Sequence, residues 1–199
     1  DELTKRWNGW LHARYGRRSA LAEVWTDENG GCALLSDESP EKGTVALPFG
    51  LVSSWMPDKK TRAPADSLLA PKRYRDTLLF LGEIQRSYYN VMRSHLRSIG
   101  VRVPVAGTNQ QFVMIDTAID AMGDFMSRNQ YWRHPHRSAR PFFKFANEAF
   151  LDVEIPETRN PLSVIARTTV AGKPQGVAEF NFPWPNEYRC EGLLTASAY

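Results

Sequence analysis

The chain has 199 residues, 42% of them hydrophobic and 24% charged, a composition that excludes wholesale disorder and allows one domain with a real core. Its 25 Lys and Arg against 22 Asp and Glu leave a net charge of only +3, too small for the basic footprint of a nucleic-acid binder. No apolar run approaches the ~20 residues that span a bilayer and no charged-then-apolar leader opens the chain, so it reads as soluble, with the compartment open.

The chain starts at Asp1, without a Met, on a helical pattern and stops at Tyr199 within another, and so reads as an excerpt of a longer chain. Leu3, Trp7, Trp10, Leu11 and Tyr15 recur at spacings of three and four, one apolar helical face. Gly16 is placed to end that helix, and Ser19 to cap a second one running through Trp25. From Thr26 to Pro71 the periodicity dissolves into Gly, Pro, Ser and charge, a loop long enough to be either functional or disordered, with "GTVALPF" as a brief strand inside it. Cys32 in this loop and the distant Cys190 form neither a metal knuckle nor a disulfide framework and read as two buried free thiols.

The strongest helix follows, "YRDTLLFLGEIQRSYYNVMRSHLRSIG", in which Leu81, Ile84, Tyr88, Met92, Leu96 and Ile99 form a stripe expected to be core. Arg93 and Arg97 suit its C-terminal dipole end, and Gly100 its stop. Then "VRVPVAGTN" reads as a strand, "FVMIDTAIDAMG" as a short helix, and "DFMSRNQYW" as a second strand. After a loop rich in Arg, His and Phe, Asn160 is placed to cap "PLSVIARTTVAG", with Pro161 at its first position and Gly172 past its end. "PQGVAEFNF" is the third strand, and the tail begins a further helix.

Strands alternating with helices predict an α/β fold with a parallel sheet. The strand ends carry no glycine-rich phosphate turn; they read "GTN", "NQYW" and "EFNFPW", amides that bond hydroxyls and aromatics that stack on the apolar face of a sugar ring. The expected architecture is therefore part of a (β/α)8 TIM barrel, with residues 1–199 as a portion of a single catalytic domain and an irregular insertion at about 26–71.

The stretch "RWNGWLHARYGRRSALAEVW" resembles the helix after the acid/base glutamate of family 42 β-galactosidases. "VRVPVAGTN", "RNQYWRHP" and "GKPQGVAEFNFPWPN" are similar to strands five, six and seven of the wider clan A of retaining glycosidases, including family 5-like β-glycosidases. The resemblance implies that Glu179 is the nucleophile ending strand seven and that Tyr131 is the strand-six tyrosine that hydrogen-bonds it. Thr108 and Asn109 would end strand five facing the substrate, with Asn129, Trp132, Asn181 and Trp184 as further substrate-binding positions. Where the clan often has His, two residues before the tyrosine, this chain has Asn129. The cysteine cluster that holds zinc in many family 42 members has no counterpart, so the likeness is to the clan more than to that family.

The chemistry requires a carboxylate that attacks the anomeric carbon and a second, protonated carboxyl that serves the leaving oxygen, roughly 5 Å apart in retaining enzymes. Asp116, Asp120, Asp124, Glu187 and Glu191 read as solvated charges, which leaves the acid/base glutamate upstream of Asp1. The expected function is retaining hydrolysis of a β-galactoside, β-glucoside or related oligosaccharide, with no cofactor and no metal. The rival is a non-catalytic carbohydrate-binding protein on the same scaffold. Residues 1–199 alone are expected to be inactive and poorly soluble, since three strands of a barrel leave two unpaired edges.

Blander readings stand beside these. Glu179 can be a strand-end carboxylate paired with Arg, Tyr131 a core aromatic, and Trp132 and Trp184 simple packing. His134 and His136 suggest a metal, but without a third ligand a basic loop is favoured. Arg residues interleaved with aromatics suggest RNA, which the near-neutral charge opposes.

Overall fold

A computed structural model of the chain describes residues 1–47, 71–109, 114–132, 161–182, 184 and 186–198. It divides into two compact units, Asp1–Asn90 and Val91–Tyr199, with one long helix running through the boundary. Among the described residues no helix is long and apolar enough to cross a membrane.

In the first unit, helix α1 (Glu2–Tyr15) starts where the Asp1 carboxylate accepts the Thr4 N–H at 2.7 Å. It stops at Gly16, whose φ of 74° is a conformation that side chains with a Cβ resist. Helix α2 (Arg18–Trp25) follows at once. Its cap is not Ser19, which lies inside the helix: the Arg18 N–H donates instead to Glu41 of the following segment, at 2.7 Å. The Ser39 hydroxyl and that N–H together hold the Glu41 carboxyl down at about 2. Helix α3 (Pro71–Ser98) brings Phe80 against the Trp7 ring, 5.2 Å between centroids, and Trp25 stacks near Trp7 at 6.3 Å. Trp7, Leu11, Leu21, Trp25, Ala33, Leu34, Val45, Leu47 and Phe80 form this unit's core.

Residues 26–47, which follow α2, contain no helix and no strand. Two buried polar pins hold this segment. Arg73, fully buried on α3, meets the Glu38 carboxylate in a two-pronged ion pair at 2.7 and 2.8 Å. The same guanidinium donates from its two terminal nitrogens to the Ala33 and Ala46 carbonyls and lies over the Trp25 ring, while its buried Nε has no acceptor among the described residues. Asn8 of α1 bonds both the N–H and the C=O of Val45, each at 2.9 Å. With its backbone groups taken by a side chain, the expected strand "GTVALPF" is coil over residues 43–47; its last residues, and the rest of the segment to 70, lie outside the described residues.

The second unit holds α4 (Met114–Asp120), β1 (Met126–Tyr131), α5 (Pro161–Arg167), β2 (Gln175–Asn181) and α6 (Arg189–Ala198). β1 and β2 pair in parallel as a two-stranded sheet. The expected part of a (β/α)8 barrel is thus corrected: among the described residues there are six helices and these two strands, and "VRVPVAGTN" is not a third strand. Side chains occupy the backbone groups that a ladder would need. Arg97 binds the Val101 and Val103 carbonyls, both at 2.9 Å, Pro104 has no N–H to give, and Asp124 and Asp120 accept from the N–H groups of Val105 and Thr108.

Other expectations change as well. The stripe of α3 is core only in its N-terminal half: Tyr88, Met92 and Ile99 are exposed, as is Val91. Helix α5 ends at Arg167, well before Gly172, because the Thr168 and Thr169 hydroxyls turn back to the Ile165 carbonyl at the start of a β-branched run. Asn160 lies outside the described residues, as do His134 and His136. Cys32 and Cys190 are free thiols as expected, but both are exposed.

Glu38→Gln strands the buried Arg73 charge, and a urea titration should show a loss of about 3–5 kcal/mol. Burial pushes the Glu38 carboxyl up, but the Arg73 guanidinium and the Leu35 and Ala46 N–H groups outweigh it and hold it below the ordinary carboxylate range. A depressed folded pKa stabilises the fold above the unfolded value of about 4.3, and that stability is lost as pH falls through the folded pKa. The wild-type stability curve should therefore drop on acidification below about pH 4 more steeply than that of Glu38→Gln.

Candidate functional site

The apolar residues of the last strand region are Val177, Phe180 and Phe182, spaced by three and then two, which strict alternation cannot place on one face. The structure resolves this with a bulge. Met126, Ser127 and Arg128 pair with Gln175, Gly176 and Val177; then Asn129, Gln130 and Tyr131 pair with Glu179, Phe180 and Asn181. Ala178 is the extra residue of β2. Regular pairing would have set Glu179 across from Gln130, on the side where Trp132, Phe182, Phe180 and Leu162 pack together. With the bulge, Phe180 takes that side and Glu179 stands across from Asn129 on the other.

The packing confirms which side is which. Trp132 and Phe182 are 2% and 1% exposed with ring centroids 6.0 Å apart, and Phe180 lies 6.4 Å from Phe182. Gly192 lets α6 close on this cluster: a Cβ there would stand 2.8 Å from a Phe182 ring carbon. Trp132 therefore belongs to the core and has no ring face to offer a sugar.

On the opposite side, register brings together Asn129, Tyr131 and Glu179, and the backbone of Asn181 pairs with Tyr131. Glu179 is exposed, while Asn129 and Tyr131 are partly buried. The Asn129 Oδ1 is buried without a hydrogen-bond donor, an amide acceptor held beside the carboxylate strand. The Asn129 N–H donates to the Asn109 carbonyl at 2.7 Å, and Met126 donates the other way, to Pro174 at 2.8 Å. Residues 105–109 thus run along the edge of β1 away from β2, which places Asn109 and Thr108 beside Asn129 although no ladder forms. Trp184 follows β2 in the turn before α6 and is 70% exposed.

The remaining carboxylates have definite places. Asp124, read from sequence as a solvated charge, is a hub: it pairs with Arg93 and, at 2.6 Å, with Arg97, while accepting the Val105 N–H at 2.8 Å. That N–H and then the charges of Arg93, Arg97 and Lys173 hold its carboxyl below the ordinary range against the opposing effect of burial. It stands before the first residue of β1, at the end away from Tyr131. Asp120 is 1% exposed and accepts the Thr108 N–H at 3.1 Å, so it anchors the backbone next to Asn109. Both were missed as site supports. The sequence signal for Asp124 is the Arg93 and Arg97 pair at helical spacing, two cations that one carboxylate can bridge. Glu187 is exposed in the turn after β2 and Glu191 lies in the first turn of α6.

The face can do the following chemistry. An accessible carboxylate can attack or accept, neighbouring amides and a phenol can bond hydroxyls, and the apolar cluster on the reverse makes the platform rigid. Among the described residues no group of three His, Cys, Asp or Glu is placed to hold a metal ion. Comparison of the chain with protein-family models, with curated proteins and with solved structures finds no match.

The two faces predict opposite responses from adjacent residues. Glu179→Gln should leave stability within about 0.5 kcal/mol, whereas Phe180→Glu, which aims a carboxylate at Trp132 and Phe182, should cost at least about 2 kcal/mol in denaturant unfolding.

Proposed function

We propose that this chain carries the nucleophile side of a retaining glycosidase that hydrolyses a β-galactoside, β-glucoside or related oligosaccharide. Glu179 is the nucleophile. Tyr131 and Asn129, beside it on the same face, and Asn109 and Thr108, along the next edge, bind and orient sugar hydroxyls, with Trp184 as a stacking surface. The acid/base partner is assigned to a glutamate upstream of Asp1, roughly 5 Å from Glu179 across the scissile bond.

The observation that supports this reading is the register of β1 and β2, in which an extra residue turns Glu179 out of the apolar cluster and into line with Asn129, one step from Tyr131. The carboxylate attacks the anomeric carbon as the leaving oxygen takes a proton from the acid, forming a glycosyl ester; water, deprotonated by the same partner, then releases the sugar.

The test uses the full-length protein and an activated 2-deoxy-2-fluoro β-glycoside, which traps the glycosyl ester, followed by peptide mapping. A label on Glu179, with Glu179→Gln losing aryl β-glycoside turnover by on the order of 10⁴-fold while still binding sugar, is the expected result. A label on another residue removes Glu179 from the role. Sugar binding with neither label nor turnover would instead make the protein a carbohydrate binder.

A further inference from the structure

We draw no further inference here: the strongest candidate, the exposed apolar patch formed by Tyr88, Val91 and Met92 on the C-terminal half of α3 with Ile99 just past its end, carries nothing because no feature of the structure shows what covers it.

Discussion

One extra residue in a parallel strand pair decides what the second unit can do. A strand shows alternate residues to alternate faces, so without a bulge a carboxylate two residues after Val177 would share its side, and the two phenylalanines that follow would both lie on the other, away from Trp132. The bulge at Ala178 shifts everything after it by one position relative to β1. Phe180 and Phe182 then pack against Trp132, and Glu179 goes to the other face. Apolar burial sets the register, and the position of the carboxylate follows from it. Each of those aromatic rings contributes far more to stability than an exposed Glu can, so the carboxylate is placed by its neighbours.

Around this pair, polar side chains do what a larger sheet would do with backbone. Asp124 gathers Arg93, Arg97 and the Val105 N–H, Arg97 also binds the Val101 and Val103 carbonyls, and Asp120 holds Thr108. Backbone groups of Val101, Val103, Val105 and Thr108 are thereby bonded without a ladder, and the segment still reaches the edge of β1 through the Asn109 carbonyl. The first unit follows the same logic. Arg73 and Glu38, and Asn8 with Val45, fasten an irregular segment to helices by charge-assisted and amide hydrogen bonds where regular pairing is absent.

Much of this was legible in the sequence wherever the cause is local. The three-and-four spacing of Trp7 and Leu11, the stops at Gly16 and Gly100, and the two short runs that form β1 and β2 all depend on near neighbours, and all fall where the sequence places them. What depends on distant partners was not legible. Nothing near Val101 announces that Arg97, Asp120 and Asp124 will take its neighbours' backbone groups, and a β-branched run therefore passes for a strand. The barrel inference rested on that third strand and fails with it. Ser19 resembles a cap in sequence because the true acceptor, Glu41, comes from the segment that follows this helix. Val177, Phe180 and Phe182 break the period of two, but the break implies a bulge only once the two rings are required on the side of Trp132, a partner at the end of the other strand. Trp132 beside Tyr131 looked equally suited to a sugar; alternation puts one on each side, and the phenylalanines take the tryptophan.

The placement of Glu179 beside Asn129 can be tested without any activity. In a background with Cys32 and Cys190 changed to Ser, residues paired across parallel strands lie about 4.8 Å apart, within the roughly 4.4–6.8 Å between Cα atoms that a disulfide spans. Under mild oxidation the Asn129→Cys, Glu179→Cys pair should cross-link while the Gln130→Cys, Glu179→Cys pair stays reduced. Cross-linking of the second pair and not the first would mean that β2 has no bulge and that Glu179 faces the aromatic cluster.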